Sequence, residues 1–241
     1  MKSLVSLLVL AATVPAFADD PAPAADPLSF NIGAVSDYRY RGISQTRLKP
    51  ALQGGIDYAA ANGFYVGTWA STIKWIKDAG GDGQVELDLY GGYKTEVAQG
   101  LTLDVGVLQY LYPSNKLNPS ANTLEVYGAL SYGPFTAKYS HSATNLFGFP
   151  SSKNSGYLDV SANVDLGDGL TLTPHVGHQT VKHNSAASYT DYSLTLAKGF
   201  AGLVVSGAIV GTDANKTAYA NPVTARFMGK TTLVVGLKKT F

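Results

Sequence analysis

The sequence has no cysteine among its 241 residues. This absence excludes disulfide frameworks, thiol chemistry and metal sites built on thiolates. Charged residues are also few, at 15% of the chain, and they nearly cancel to a formal net charge of +1. Because there is no excess of positive charge, the composition does not point to nucleic acid as a partner.

Long apolar stretches are confined to the N-terminus. There Lys2 precedes an apolar run from Leu4 to Val14, and Ala16-Phe17-Ala18 forms a small-residue cleavage pattern. This combination is typical of a secretory signal peptide, and the run is too short to span a membrane as a helix. We therefore predict a signal peptide over residues 1–18 and a Pro/Ala-rich lead-in without regular structure over residues 19–27.

Glycine and tyrosine are abundant, with 26 and 15 residues. From Leu28 onward, polar and apolar residues alternate with a period of two, which predicts strands with two different faces. No change of composition divides this part, so we predict one all-β domain over residues 28–241. Its strands have the length of about ten residues that a tilted membrane-spanning strand needs. The twelve predicted strands are Leu28–Arg41, Ala51–Ala60, Phe64–Trp75, Gln84–Val97, Leu101–Tyr112, Thr123–Tyr132, Phe135–Ala143, Tyr157–Leu166, Leu170–Val181, Tyr189–Lys198, Leu203–Thr212 and Thr231–Phe241.

The connections between these strands alternate in length. Tight turns such as Asn62-Gly63 and Gly133-Pro134 alternate with longer polar connections such as Pro113–Asn122 and Asp213–Lys230. A transmembrane antiparallel up-and-down β-barrel has this arrangement, because its periplasmic turns are short and its extracellular loops are long. The even number of strands then puts both termini on the periplasmic side of a Gram-negative outer membrane.

A soluble barrel with its apolar face inside is the alternative, and two features favour the membrane. The first is a set of aromatic residues at the predicted strand ends, as in interfacial girdles. They are Tyr38, Tyr40, Tyr58, Phe64, Trp69, Trp75, Tyr110, Tyr112, Tyr132 and Phe135. The second is the terminal Phe241, which resembles the assembly signal of outer-membrane proteins. We therefore expect outer-membrane lipid and lipopolysaccharide around the barrel, recognition of Phe241 by the barrel-assembly machinery, and a monomer.

The block from Ser36 to Ser71 is the most distinctive part of the chain. It contains Ser36-Asp37-Tyr38, Tyr40-Arg41-Gly42, Ser44-Gln45-Thr46, Pro50, Gln53-Gly54-Gly55, Asp57-Tyr58, Gly63-Phe64-Tyr65, Gly67, Trp69 and Ser71. These residues resemble the TorF family of small outer-membrane porins of Gram-negative bacteria. The resemblance extends to the acidic-aromatic strand around Glu86 and Asp88 and to the terminal Lys239-Thr240-Phe241. The resemblance implies a barrel and its location, and it carries no catalytic or ligand residues.

Within this block, charged Asp37, Arg39 and Arg41 alternate with Tyr38 and Tyr40. We interpret them as the end of the first strand, with the tyrosines towards lipid and the arginines at the extracellular rim of the lumen. Residues 42–50 are then the first extracellular loop. Charged side chains in the inward register of this and later strands are the candidates for lining a lumen. They are Asp37, Arg39, Arg41, Asp57, Glu86, Asp88, Asp104, Glu125, Asp159 and Asp191.

A barrel of twelve strands lies between eight-stranded barrels, which side chains fill, and porins of about sixteen strands, which are open. The sequence therefore predicts a narrow channel for passive diffusion of small polar solutes or ions. Carboxylates opposite Arg39 and Arg41 would favour polar or zwitterionic solutes, with a preference for cations. The same charges could instead form salt-bridged ladders that only hold the wall together.

A closed barrel is the second function class, acting through its loops as an adhesin, a receptor or an envelope-structural protein. Enzyme activity is not expected, because Ser140 and Ser142 flank His141 directly and therefore point to the opposite face.

Three other histidines do not indicate a metal site. His175 and His178 have opposite parity, and no carboxylate cluster joins them or His183 in the sequence, so we interpret all three as unpaired barrel or loop histidines. The sequence predicts no catalytic residue, no metal and no cofactor.

Overall fold

The computed structural model describes residues 27–241, so the predicted signal peptide and residues 19–26 of the lead-in lie outside the described residues. The period-two alternation produces strands throughout this part, and twelve long strands form one antiparallel barrel. The strands are β1 (Leu28–Val35), β2 (Arg39–Tyr40), β3 (Ile43–Ser44), β4 (Ala51–Ala59), β5 (Phe64–Thr72), β6 (Val85–Ala98), β7 (Leu101–Leu111), β8 (Thr123–Tyr132), β9 (Phe135–Ser142), β10 (Gly156–Ala162), β11 (Val164–Asp165), β12 (Leu170–Thr180), β13 (Tyr189–Phe200), β14 (Leu203–Thr212) and β15 (Thr232–Thr240).

Each strand of the barrel pairs with its neighbours along the chain, and β1 also pairs with β15, from Asn31 opposite Thr240 to Val35 opposite Gly236. This last pairing closes the sheet and removes its free edges. β10 and β11 form one barrel strand interrupted at Asn163, and both pair with β12. The short β2 and β3 pair only with each other and form a separate hairpin.

Helical structure is limited to α1 (Trp75–Asp78) and a 3-10 turn over Ser185–Ala187 within the described residues. In residues 27–241 no helix is long and apolar enough to cross a membrane.

The predicted twelve-stranded architecture is confirmed, as is the alternation of short and long connections. All tight turns lie at one end of the barrel, together with the start of β1 and the end of β15. We call this end the turn end and the opposite one, with the long connections, the loop end.

The predicted course of the first strand is wrong beyond Val35. Ser36 still pairs with β15, where its N–H donates to the carbonyl of Val235 at 2.8 Å, and the chain then leaves the wall. Arg41 and Gly42 both have positive φ, at 45° and 78°, and form the turn between β2 and β3. The alternation of tyrosine and arginine therefore belongs to a hairpin that folds inward and not to the end of a wall strand.

The two faces of the wall differ as the pattern predicts. Large apolar side chains such as Ile32, Leu52 and Leu233 are exposed on the outward face, and this repeats on every long strand. The inward face is polar, and its side chains are half-buried towards the turn end and buried towards the loop end. The core of the molecule is therefore the interior of the barrel at its loop end.

The predicted aromatic girdles are only partly present. Tyr58, Phe64, Tyr132 and Phe135 are exposed on the outward face near the turn end. The aromatic residues near the loop end instead face inward: Trp69 and Tyr110 have the parity of the inner face, whereas Tyr38 and Tyr40 lie inside because their hairpin leaves the wall. Tyr38, Trp69, Tyr110 and Tyr112 are buried there in one cluster, with Tyr40 and Trp75 packed against it.

Candidate functional site: the lumen and its inward segment

Residues 36–50, which we call the inward segment, fold into the barrel at the loop end. Of the predicted extracellular loop over residues 42–50, residues 42–46 are buried inside, and only Lys49 and Pro50 are exposed. Tyr38, Arg39 and Arg41 are at most 4% exposed. The β2–β3 hairpin is held to the wall and to the long connections by backbone hydrogen bonds. The N–H of Lys74 donates to Gln45 O at 2.8 Å, and the N–H of Ser44 donates to Met228 O at 3.0 Å.

Arg41 lies at the centre of this arrangement. Its guanidinium donates two hydrogen bonds to the Glu125 carboxylate on β8, at 2.8 and 3.1 Å, and one to Gln179 Oε1 on β12 at 2.6 Å. The same group stacks over the Tyr157 ring of β10, 4.1 Å from its centroid. One side chain of the inward segment thus contacts three different strands across the barrel.

Asp37 and Arg39 form an ion pair within the inward segment, with Arg39 Nε 2.5 Å from Asp37 Oδ2. Arg39 also donates to the carbonyl oxygens of Met228 and Lys230, at 3.0 and 3.1 Å. This pair stabilises the hairpin itself and attaches it to the connection between β14 and β15.

Glu86 and Asp88 are buried neighbours on the inner face of β6. Glu86 Oε1 accepts a hydrogen bond from the Tyr38 hydroxyl at 2.6 Å. Asp88 is 0% exposed, and neither of its carboxylate oxygens has a hydrogen-bond partner among the described residues. With Glu125, three carboxylates and the single guanidinium of Arg41 occupy this level, so its formal charge is negative when all are ionised.

The remaining predicted carboxylates also face inward, and hydroxyl or imidazole groups hold them. The Tyr65 hydroxyl donates to Asp104 at 2.6 Å, and the Tyr90 hydroxyl donates to Asp57. Asp191 accepts from the Tyr157 hydroxyl at 2.9 Å, and Asp159 lies 2.7 Å from His175 Nε2. The structure thus places all ten predicted lumen residues on the inner side of the wall, and it brings Arg41 together with Glu125 and Asp37 with Arg39.

Several residues of this interior were not predicted. Tyr157 and Gln179 contact Arg41, and Lys138 lies 4.1 Å from the ring centroid of Tyr127. The interpretation of His175 as unpaired is wrong, since its ring nitrogens face Asp159 and Asp191. Inward parity was the signal that could have identified these residues: Tyr157, Lys138 and His175 each stand between apolar, aromatic or small residues, and Gln179 lies four positions after His175 on the same strand.

A second ion pair ties the inward segment to two other connections at the loop end. The Arg47 guanidinium donates to Asp78 of α1, with Nε 2.9 Å from Oδ2, and the Asn221 side-chain amide donates to the same carboxylate. Burial acts to raise the pKa of Asp78, but the hydrogen bonds from Arg47 and Asn221 and the Arg47 charge outweigh it, so that the pKa lies below its usual value. Asp78 therefore remains ionised and connects three segments.

Comparisons with known proteins agree with this architecture. Residues 20–241 match the model of a family described as "Bacterial protein of unknown function (Gcw_chp)". A structure titled "KdgM porin" covers 88% of this chain and 99% of its own, with a TM-score of 0.57 and 9% identity. A NanC porin structure covers 89% of this chain and 98% of its own, with a TM-score of 0.57 and 12% identity. No curated protein sequence matches.

Proposed function

We propose that this chain, which belongs to the Gcw_chp family of bacterial proteins of unknown function and has the fold of small porins, is an outer-membrane channel that admits small polar solutes. The inward segment is the observation that carries the proposal. It places the charged side chains of Arg39 and Arg41 inside a closed barrel whose inner wall carries polar and charged side chains beside the aromatic cluster. Such an inner wall is typical of barrels that pass polar solutes.

The outward face supports the proposed location. Its exposed apolar side chains occur on every long strand, and a surface of this kind is unfavourable in water. We propose that outer-membrane lipid and lipopolysaccharide surround the barrel, that both termini are periplasmic, and that the protein is a monomer of the TorF type. The terminal Phe241 is exposed next to Phe30, to which it is hydrogen-bonded through the backbone, so the barrel-assembly machinery could reach its ring.

The charges at the level of the inward segment support the proposed class of solute. Asp37 and Arg39 neutralise each other, so the carboxylates of Glu86, Asp88 and Glu125 outnumber the guanidinium of Arg41, which favours cations over anions when the carboxylates are ionised. Towards the turn end, lysines share the inner face with carboxylates: Lys94 pairs in register with Asp104, and Lys138 with Asp159. A wall with both signs of charge suits small polar or zwitterionic solutes.

The near-complete burial of the inward segment favours a second candidate. A barrel that this segment always closes would act through its long connections as a receptor, an adhesin or an envelope-structural protein. The two candidates predict different conductance, so one experiment separates them.

The experiment is a planar-bilayer recording of the folded protein and of a variant in which a Gly/Ser linker replaces residues 38–46. Folding of both is checked by a heat-dependent shift in gel mobility, and Arg41→Gln serves as a less disruptive variant. We expect the wild type to conduct with a reversal potential that favours cations, and the linker variant to conduct more. A silent wild type with a conducting linker variant would establish the closed barrel, and silence of all three folded proteins would contradict both candidates.

A further inference from the structure

We propose that solutes pass between the inward segment and the inner faces of β13, β14 and β15, an inference that rests on the proposed channel function. The inward segment is bound very differently on its two sides. This asymmetry decides where a passage opens most easily.

On the side of β6 to β12, charged and hydroxyl groups hold the inward segment. Arg41 is bonded to Glu125 and Gln179, Tyr38 to Glu86, and the Tyr40 hydroxyl to that of Tyr110 at 2.8 Å. Separating these groups would leave a buried carboxylate without its cation, which is strongly unfavourable. The inward segment therefore remains attached on this side.

On the side of β13 to β15, Asp191 lies close to Gly42 and Tyr189 packs with Ile43 nearest the loop end. Further towards the turn end, the wall beside Asp37 and Arg39 consists of small, uncharged residues. They are Thr195, Ser206, Ala208, Val210, Val234 and Gly236. A cavity of about 30 Å³ already separates them from Asp37, Tyr38 and Arg39, which is room for one water molecule. Arg39 also donates to the carbonyl oxygens of Met228 and Lys230 in the connection between β14 and β15, but its carboxylate partner Asp37 belongs to the inward segment. Separating the wall from the segment here therefore leaves no carboxylate without its cation, so a passage opens at a lower cost than on the other side.

The Thr195 hydroxyl supports this assignment. The residue is 1% exposed and lines the cavity, yet its Oγ1 has no hydrogen-bond partner among the described residues. A buried hydroxyl without a partner is destabilising unless water or a polar solute reaches it. A passing solute would thus have hydroxyls on the wall and the Asp37–Arg39 ion pair on the inward segment as its polar contacts. These contacts fit small solutes that are neutral or zwitterionic.

The absence of cysteine makes the route testable by single substitutions. Thr195→Cys reports the proposed route, and Ser140→Cys is the matched control, because Ser140 is an inward residue of β9 beside the Arg41 contacts and is 4% exposed. Both folded variants are treated with small methanethiosulfonate reagents of either charge, and the labelling rates are measured by mass spectrometry. Although Thr195 is the more buried residue, we expect Thr195→Cys to react about tenfold faster or more, because its surroundings open locally.

Equal rates, or faster labelling of Ser140→Cys, would overturn the proposed route. Conductance provides the second readout: labelling of Thr195→Cys should reduce it severalfold, whereas labelling of Ser140→Cys should leave it unchanged. The two proposals can fail separately, since silent channels contradict the channel function while the ratio of labelling rates still decides the route.

Discussion

Arg41 shows, at the scale of a single residue, which interactions oppose and which favour the burial of the inward segment. A guanidinium and a carboxylate are both taken out of water, and the geometry compensates through a bidentate pair, an amide acceptor and an aromatic ring. The sequence predicted Arg41 as a lumen residue but not its partners, because Glu125 and Gln179 are 84 and 138 residues away along the chain. Parity gives the face of a strand residue, not the residue it meets across the barrel.

We expect Arg41→Ala to lower the free energy of unfolding by about 3–5 kcal/mol, since it leaves Glu125 buried without its cation. Urea-dependent unfolding in lipid vesicles measures the change. Arg226→Ala, at an exposed position of the last long connection, should leave the midpoint unchanged. A change at Arg41 no larger than that at Arg226 would show that water reaches Glu125.

Asp88→Asn should instead raise the free energy of unfolding. Asp88 has no hydrogen-bond donor among the described residues and is fully buried, so an uncharged amide of nearly the same shape removes the cost of burying an ionised carboxylate. We expect a higher unfolding midpoint at neutral pH. Asp165→Asn, at an exposed site on β11, is the control. A lower midpoint for Asp88→Asn alone would mean that the carboxylate has an ionic partner in solution.

At the scale of elements, the wall strands could be predicted and the inward hairpin could not. Alternation has one meaning along a strand whose outward face is apolar and whose inward face is polar, and it marks eleven of the predicted strands correctly. The predicted first strand extends too far, to Arg41, because aromatic and charged residues alternate from Asp37 to Arg41 just as residues of the wall do. β1 ends at Val35, and the chain then turns inward and is reversed between β2 and β3 by the positive φ of Arg41 and Gly42, of which only the glycine suggests such a turn in advance.

The ion pair between Arg47 and Asp78 predicts that the attachment of the inward segment at the loop end depends on pH. The pKa of Asp78 is lowered in the folded protein, so its ionised form stabilises the attachment of the inward segment to α1. This stabilisation is fully present above the usual pKa of aspartate, and it is lost as the pH falls through the lowered pKa. Protection of the amide hydrogens in residues 44–48 against exchange, relative to the unstructured chain at the same pH, should therefore fall on acidification of the wild type. In Asp78→Asn this protection should be low at all pH values.

Asp82→Asn is the matched control for this measurement. Asp82 pairs with Lys116 on the exposed surface, so its loss should not change exchange in the inward segment. Protection in the wild type that does not change with pH would show that other contacts hold the segment.

At the scale of the whole molecule, the outward apolar face is the property that the sequence revealed most clearly, although it could not tell outside from inside. The structure resolves this because charged side chains have partners across the interior. The aromatic residues could not be assigned in advance for the same reason: a ring at a strand end fits an interface or a packed interior equally well.

Val235→Arg tests the lipid-facing role of this surface. Val235 is exposed on the outward face of β15, and a basic residue near the midplane of a bilayer costs about 2–4 kcal/mol. We expect a lower yield of folded protein in lipid vesicles, measured by gel mobility. Val223→Arg, at an equally exposed site in the last long connection, should fold as the wild type does. Equal yields would place Val235 outside the hydrocarbon region.

The position of the inward segment in the chain has a consequence for the order of folding. This segment is synthesised directly after the first strand, but its partners are on strands formed much later, and Arg39 reaches Met228 across 189 residues. Contacts of such long range form only when most of the chain is already arranged. The segment can dock only as the barrel closes, so a barrel that has not joined β1 to β15 still has its charged hairpin without partners. Closure of the wall and filling of its interior are thereby a single cooperative event.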